Sequence, residues 1–391
     1  MSGLPQVPER LWRPRLSRAS IFFLGVSLWG CWAIYNASRS DGTGGQHFVV
    51  RQILWLVCGT LALVTCAGFP PRLYRRALPW LCLAAYLPLV LVLGLGIRIN
   101  GMRGWFAWHG YFLQPSELAK PFFVLSLAWM LERTSAQRAS WQRGFLPPAC
   151  LAAVWVIPIA LQPDFGSLLV YAVTFVLLTW GFGGRTLHLA VAGAAAGPVT
   201  ALVLWRHPYV LKRFTAFLNP DAAAQAAGWH ILQFRRTLAS GGLLGRAWEE
   251  GLWSSAYLPL GYSDSVFAST AEKLGFLGVL PLLVLILALL IYGHYHACRT
   301  ADRFRAATIF GLCAMLVTQA FVHLSVNLGL MPPTGITLPL VSYGGSSLIS
   351  SMIAFGLVEA MVHTPPEPAP DADPGPAASL PPDPPGAALE V

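Results

Sequence analysis

The chain has 391 residues, of which 55% are hydrophobic and only 11% are charged, and its mean hydropathy is +0.57. Soluble domains carry about 25% charged residues, so this composition excludes an ordinary soluble protein. The formal net charge of +9 is spread over short joints between apolar runs. It forms no basic stripe with interleaved aromatic residues, which excludes a nucleic-acid-binding protein.

Continuous apolar runs predict helices that cross a membrane. A helix needs about 20 mainly apolar residues to cross the roughly 30 Å hydrocarbon core, and runs that do not alternate favour helices over a closed barrel. The expected fold class is therefore an all-α polytopic membrane protein. The ten predicted spans cover residues 19–36, 48–68, 77–96, 117–131, 145–161, 167–184, 186–205, 271–292, 306–328 and 347–362.

The arginines between these spans predict the orientation of the chain. If the N-terminus is cytoplasmic, the inside segments hold fourteen arginines, and the short outside loops hold only Arg39, Arg98 and Arg103. Cytoplasmic loops of membrane proteins are enriched in Lys and Arg. Both termini are therefore predicted to be cytoplasmic.

The spans divide the chain into three parts. Residues 1–18 are predicted to be a cytoplasmic tail, and residues 19–362 the membrane domain, with a long extracytoplasmic loop at 206–264. Residues 363–391 are rich in Pro and Ala and cannot bury a core, so we expect a disordered cytoplasmic tail.

Ionisable residues gather at the predicted outer ends of the spans. Such residues are costly at membrane depth and usually serve a function. Their distribution predicts a polar cavity at the outer leaflet. The residues concerned are Glu117, Lys120, Asp164, Asp264, Glu272 and Lys273.

A structural interpretation stays open for each of the main candidates. Glu117 and Lys120 share one helix face, so they form either a local ion pair or a site where Lys120 holds a phosphate. Asp164 lies in a Pro- and Gly-containing turn and is either a helix cap or a site residue. Asp264 precedes a predicted helix and is either its cap or a base with a raised pKa.

Two further segments supply binding groups. The loop 206–264 holds six cations, among them Arg213, which suit a diphosphate or simply a solvated surface. Residues 331–347 are rich in Gly, Pro and Ser but lie between apolar spans, where irregular backbone is tolerated only if it is packed or lines a cavity. This segment supplies hydroxyls for a sugar or phosphate, or forms a structural turn. The hydroxyls belong to Ser342, Tyr343, Ser346 and Ser347.

Five motifs in order along these segments resemble the SEDS family, which includes FtsW, RodA and SpoVE. Together they extend over nearly the whole chain except the two tails. The motifs are NGMRGW at 100–105 with QPSELAK at 114–120; QPDFG at 162–166; Arg213-Phe214 with Asn219-Pro220 and Gly241, Gly242 and Gly245; LPLGYSDSVFASTAEKLG at 258–275, with Asp264 on the family's aspartate; and Asn327 with PTGITLPLVSYGGSS at 333–347.

The resemblance implies a peptidoglycan glycosyltransferase that polymerises lipid II. The GlcNAc 4-hydroxyl of the acceptor attacks the anomeric carbon of the donor MurNAc, and undecaprenyl diphosphate leaves. Asp264 is the predicted general base. Arg103, Lys120 and Arg213 are predicted to stabilise charge on the diphosphate. The other predicted substrate-binding residues are Glu117, Asp164, Glu272, Ser342, Tyr343, Ser346 and Ser347.

The resemblance also implies partners. A divalent cation, Mg²⁺ or Mn²⁺, could share the charge-stabilising role, but no ligand cluster in the sequence identifies a metal site. The expected partners are a class B penicillin-binding protein, which supplies the transpeptidase, and other divisome or elongasome membrane proteins, with no nucleic acid. The expected location is the bacterial inner membrane, with the active site facing outward.

Several positions depart from the family pattern around Asp264. Leu260 replaces a Glu, Tyr262-Ser263 replaces His-Thr, Ser265 replaces Phe, Lys273 replaces a second Glu, and further upstream Gly104 replaces an Arg. Two alternatives to a polymerase stay open: a lipid II flippase or transporter, a role also proposed for the family, and a catalytically weak scaffold for a transpeptidase, which these substitutions support. A role in elongation is slightly favoured over division, because the Thr-Gly-Ile at 334–336 is more RodA-like.

Overall fold

The computed structural model describes residues 14, 16–38, 46–99, 101–206, 208–221, 227–246, 258 and 261–364, with only the backbone for 199–205, 208–210 and 227. Most of the predicted tails, 1–18 and 363–391, lies outside the described residues. Leu260 also lies outside them.

A helix lies in each of the ten predicted spans. Seven helices among the described residues are long and apolar enough to cross a membrane. The predicted fold class, a mainly helical polytopic membrane protein, is thus confirmed, and the number of crossings stays a prediction. The ten helices are α1 (Arg18–Ser38), α2 (Gln46–Gly68), α3 (Pro71–Leu95), α4 (Pro115–Arg133), α5 (Leu146–Leu161), α6 (Phe165–Gly181), α7 (Thr186–Arg206), α10 (Val266–Arg299), α11 (Arg303–Asn327) and α12 (Gly345–His363).

The predicted loop 206–264 contains two more helices, α8 (Pro208–Leu218) and α9 (Ala227–Gly241). The glycine motif after α9 explains how this region packs. A Cβ on Gly241 would lie 2.1 Å from the Ala271 carbonyl oxygen, and a Cβ on Gly245 would lie 2.4 Å from the Lys273 carbonyl oxygen. Only glycine permits this approach of the α9 end to α10, so the motif serves helix packing.

A small antiparallel sheet connects α3 to α4, which the prediction of an all-α chain did not include. Its strands are β1 (Ile97–Ile99), β2 (Met102–Trp108) and β3 (Tyr111–Leu113), in the order β1-β2-β3. Strands β2 and β3 join through the two-residue turn His109-Gly110, where φ is 46° and 79°. Positive φ at both central positions is the requirement of the tight hairpin turn that matches strand twist.

Segments predicted to lie on the same side of the membrane contact one another. At one end of the bundle, Arg75 at the start of α3 pairs with Glu132 near the end of α4 at 2.9 Å and with Asp302 before α11 at 2.6 Å. At the same end, the Ser17 hydroxyl before α1 donates to Glu359 near the end of α12 at 2.9 Å. The other ends of α3, α4 and α12 carry the sheet and residues 331–347. These contacts are compatible with the predicted alternation of sides, which stays a prediction.

Three central helices position the site. Helices α4, α11 and α12 pack against one another and are buried on most of their surface. Helix α3, in contrast, exposes apolar side chains such as Leu83, Leu87 and Leu95, as a lipid-facing helix does. The starts of α4 and α12 and the end of α11 meet at the end of the bundle that carries the sheet.

Candidate functional site

A cavity of about 530 Å³ opens at this end of the bundle. Its walls come from the sheet, from the starts of α4 and α6, from α8 and from the residues just before α10. The segment between α11 and α12 completes it. Seven of the eleven predicted site residues line the cavity: Glu117, Asp164, Arg213, Asp264, Tyr343, Ser346 and Ser347.

Asp264 and Arg213 form the charged wall of the cavity. Asp264 is half-buried and lies two residues before α10, and Arg213 reaches the cavity from α8. Removal of the Asp264 carboxyl from water raises its pKa above the usual range, because the charged form is less well solvated there. The Arg213 guanidinium opposes this rise. The Arg213 guanidinium is itself placed by a hydrogen bond to the Pro333 carbonyl oxygen at 2.9 Å. The arrangement offers a basic carboxylate beside a cation.

Glu117 and Lys120 form a buried ion pair at the floor of the cavity. The Lys120 Nζ is 2.5 Å from Glu117 Oε1, and both side chains are almost completely buried. The ammonium also donates to Gln319 Oε1 at 2.8 Å. Lys120 therefore lies beneath the lining, whereas Glu117 borders the cavity. The geometry is that of the local ion pair left open by the sequence.

Gln319 on α11 extends this network, and sequence reasoning missed it. Its Nε2 donates to Ser347 Oγ at 3.0 Å and to the Thr337 carbonyl oxygen at 3.2 Å. The only signal in the sequence was a side-chain amide in the middle of a long apolar run, since a buried polar group there needs partners. Gln319 links the α4 ion pair to the segment before α12.

Asp164 caps α6 and also borders the cavity. Its Oδ1 accepts from the Ser167 amide at 3.0 Å, as an N-cap carboxylate does. Its Oδ2 accepts from Gln114 Nε2 and from Ser116 Oγ, each at 3.0 Å. These bonds fasten the turn before α6 to the start of α4. A direct role of Asp164 in substrate binding stays a prediction.

Four predicted site residues lie outside the cavity lining, among them Lys120. Arg103 lies on β2 and donates to the Leu93 carbonyl oxygen at 3.0 Å. Glu272 is buried on α10 and accepts from Ser240 Oγ at 3.1 Å. Ser342 is buried and donates to a backbone carbonyl. Their predicted contact with substrate stays a prediction, which these positions do not favour.

Two departures from the family pattern, Tyr262 and Lys273, have local structural explanations. Tyr262 stacks on Phe48, with ring centroids 4.3 Å apart, and meets Tyr343 edge-on at 5.7 Å. Both tyrosines line the cavity, so the substituted position contributes to an aromatic cluster in its wall. Lys273 donates to the Asn36 carbonyl oxygen at the end of α1. It therefore holds α10 to α1.

A metal site does not emerge from the described residues. Within the part of the chain that the structure describes, no group of three or more His, Cys, Asp or Glu side chains could hold an ion. The cavity carboxylates Glu117 and Asp164 are already engaged, Glu117 by Lys120 and Asp164 by Ser116 of α4 and the Ser167 amide of α6. Among the described residues, Glu117 and Asp164 thus already have protein partners, and binding of a divalent cation stays a prediction.

The fold and cavity define a class: a multi-pass helical membrane protein with a charged cavity at one end of its bundle. The model of the FtsW/RodA/SpoVE family, described as a cell cycle protein, matches residues 17–365. The chain belongs to this family.

Named relatives and a solved structure agree with this assignment. The chain is 28% identical to the probable peptidoglycan glycosyltransferase FtsW of Trichlorobacter lovleyi over 86% of this chain and 90% of that protein. It is 32% identical to the peptidoglycan glycosyltransferase MrdB of Escherichia coli K12 over 88% of this chain and 92% of that protein. A chain from a peptidoglycan synthase complex that coordinates polymerization and crosslinking has a TM-score of 0.72 and 30% identity, over 88% of this chain and 96% of that one.

Proposed function

We propose that this protein is a peptidoglycan glycosyltransferase that polymerises lipid II in the cavity described above. The relatives named for this activity support the reaction class. The observation that carries the proposal is Asp264, a carboxylate that faces the cavity beside Arg213. A glycosyl transfer needs a group to accept a proton from the attacking hydroxyl and a cation near the departing diphosphate.

The reaction assigns one task to each of these two residues. The acceptor GlcNAc 4-hydroxyl oxygen bonds to the donor anomeric carbon, and its proton passes to the Asp264 carboxylate. The bond from that carbon to the diphosphate oxygen breaks, and undecaprenyl diphosphate leaves with the electron pair. The Arg213 guanidinium stabilises the negative charge on the leaving group. Because surrounding protein raises the Asp264 pKa, the carboxylate is a better base than an exposed aspartate.

The cavity wall provides further contacts for a sugar diphosphate. Ser346, Ser347 and Tyr343 line the cavity and bring hydroxyl groups to it. Trp55 and Trp105 line it as well, and aromatic faces suit the apolar faces of sugar rings. A divalent cation stays a prediction from the resemblance, and no step of the proposed reaction depends on one.

The proposed location is the bacterial inner membrane with the cavity on the extracytoplasmic side. The distribution of arginines supports this orientation, because the cavity is built from the segments predicted to lie outside. The proposed partner is a class B penicillin-binding protein, supported by the likeness to a chain from a complex that combines polymerization with crosslinking. Both FtsW and MrdB are among the relatives, so a role in elongation rather than division stays a prediction.

The test supplies labelled lipid II to the purified protein, with and without a transpeptidase-dead form of its penicillin-binding partner. We expect glycan strands on a gel from the wild-type protein and none from Asp264→Ala. Labelled lipid II that crosses the membrane of sealed vesicles without being polymerised would favour a transporter. Absence of both polymer and transport from a folded sample, with the partner still bound, would favour a scaffold.

A further inference from the structure

Three consecutive backbone carbonyl groups at the cavity wall accept hydrogen bonds from one neighbouring layer of the protein. They belong to Tyr262, Ser263 and Asp264. We call the three groups that donate these bonds the carbonyl clamp. The Tyr343 amide donates to the Tyr262 oxygen at 2.9 Å, and the Ser342 hydroxyl donates to the Ser263 oxygen at 2.7 Å. The Asn327 side-chain amide donates to the Asp264 oxygen at 3.0 Å.

Asn327, the last residue of α11, uses both atoms of its buried amide. Its Nδ2 donates to the Asp264 carbonyl oxygen and also to the His323 carbonyl oxygen at 3.0 Å. Its Oδ1 accepts from the Ala268 amide at 3.3 Å, in the first turn of α10. The first amides of a helix lack intrahelical partners, so this bond caps α10 from outside. One side chain thus joins α11, Asp264 and α10.

Ser342 holds the next carbonyl with a hydroxyl that is fully used within the protein. It donates to the Ser263 oxygen and accepts from the Leu338 amide at 2.9 Å. Its own carbonyl oxygen accepts from Gln52 Nε2 of α2 at 3.3 Å. Ser342 is 3% exposed and is not part of the cavity lining. The side chain is therefore placed to hold backbone and not to contact a sugar.

The clamp leaves the reacting group itself untouched. All three of its bonds end on backbone oxygens, and none of them uses the Asp264 carboxylate. On the facing side, a Cβ added to Gly335 would lie 3.9 Å from Asp264 Oδ2. Gly335 has φ of 75°, a conformation that favours glycine, so this face of the carboxylate stays uncrowded. A general base must be held in place while its carboxylate stays accessible to the substrate. The clamp holds the backbone of Asp264, and its carboxylate faces the cavity.

We propose that Asn327 and Ser342 are positioning residues for Asp264, and that neither contacts the substrate. The inference rests on the proposed function of Asp264 as the base. Misplacement of a reacting group by about 1 Å can lower a rate on the order of 10²-fold. A single neutral hydrogen bond, in contrast, contributes modestly to folding. Ser342→Ala, which loses two side-chain hydrogen bonds where Asn327→Leu loses three, should therefore reduce turnover more than stability.

The experiment compares Ser342→Ala and Asn327→Leu with the matched control Ser27→Ala. Ser27 on α1 is also buried and donates to a backbone carbonyl, that of Phe23 at 3.0 Å, but it does not line the cavity. With labelled lipid II, we expect kcat of each clamp variant to fall about 10²-fold with KM nearly unchanged. The Ser27→Ala protein keeps its kcat, and Ser342→Ala and Ser27→Ala have similar unfolding temperatures. Ser342→Thr, which retains the hydroxyl, recovers turnover.

Hydrogen exchange gives a second readout that requires no substrate. We expect amides 262–268 to exchange faster in both clamp variants than in wild type and in Ser27→Ala. A wild-type protein that polymerises, together with clamp variants that match Ser27→Ala in kcat and exchange, would overturn the positioning role alone. A lower kcat accompanied by a higher KM and a lower unfolding temperature would show that the clamp only stabilises the fold. That result would also contradict the positioning role. Absence of polymer from the wild type would overturn the proposed function, and the positioning role with it.

Discussion

Two carboxylate–cation pairs lie at the same end of this protein and serve different purposes. Glu117 and Lys120 form a buried pair at 2.5 Å, in which Glu117 borders the cavity, Lys120 lies beneath its lining and Gln319 completes the network. Asp264 and Arg213 instead line the cavity, and each is held from behind by backbone hydrogen bonds. Each pair consists of one carboxylate and one cation, so residue type alone does not distinguish a structural ion pair from a catalytic one. Their positions do, since Glu117 and Lys120 contact each other directly at the floor of the cavity, while Asp264 and Arg213 both line the space where a substrate would lie.

The largest effect should come from breaking the buried pair. In Lys120→Met the Glu117 carboxylate is left buried without its cation, which destabilises by about 3–5 kcal/mol. Thermal or denaturant unfolding in detergent would measure this loss. The control Lys212→Met removes an exposed cation and should change stability by less than about 0.5 kcal/mol.

A double variant sharpens the same point. Glu117→Gln combined with Lys120→Met removes both charges, so it should recover a large part of the stability lost in Lys120→Met. If the double variant were as unstable as Lys120→Met alone, the cost would lie in packing around Lys120 and not in an uncompensated charge.

The next largest effect concerns the position of the cavity carboxylate. Asp264→Glu keeps the charge but moves the carboxylate by about one methylene, which should lower kcat on the order of 10²-fold. Single-turnover polymerisation of labelled lipid II would measure it, with an unfolding temperature close to wild type. Turnover equal to wild type would mean that the carboxylate need not be precisely placed.

Replacing Arg213 should change both rate and pH dependence. Arg213 lowers the raised pKa of Asp264, so Arg213→Gln lets that pKa rise further. A base must be deprotonated to accept a proton, so activity is lost as pH falls through its pKa. The acid limb of the kcat/KM profile should therefore move to higher pH in Arg213→Gln and stay near its wild-type position in Arg213→Lys. At neutral pH we expect a loss of about tenfold, equivalent to roughly 1.4 kcal/mol.

The smallest effect should come from the cap of α6. Asp164→Ala removes the acceptor for the Ser167 amide, a cap bond that contributes about 1 kcal/mol, together with the bonds from Gln114 and Ser116. Asp164→Asn keeps a side-chain oxygen that can accept this bond and should lose less. Unfolding temperatures of the two variants would reveal the order, and an equal loss would show that the cap bond is not the main contribution.

The sequence predicted the long helices because each is a continuous apolar run, a strong and local signal. It missed α8, α9 and the three strands between α3 and α4. These elements are short and only partly apolar, and their signal is weaker than that of a spanning helix. The His109-Gly110 turn has positive φ at both residues, and His-Gly is a weaker turn signal than Asn-Gly or Asp-Gly.

The identity of the cavity residues was more predictable than their orientation. Ionisable residues near outer helix ends predicted a polar cavity, and Asp264 and Arg213 line it. Whether Lys120 faces that cavity depended on Gln319, which is 199 residues away in sequence. The hydroxyl of Ser342 likewise depended on Ser263, 79 residues away. Spacing within one segment cannot reveal such distant partners.

The most direct test of the difference between the two pairs is made on one sample of Asp264→Asn. Its glycan yield from labelled lipid II and its unfolding temperature should be measured beside those of wild type. We predict that polymer falls by about 10²-fold or more while the unfolding temperature stays near that of wild type, because this side chain acts on substrate. A protein that still polymerises, or one that loses polymer only because it unfolds, would contradict the account.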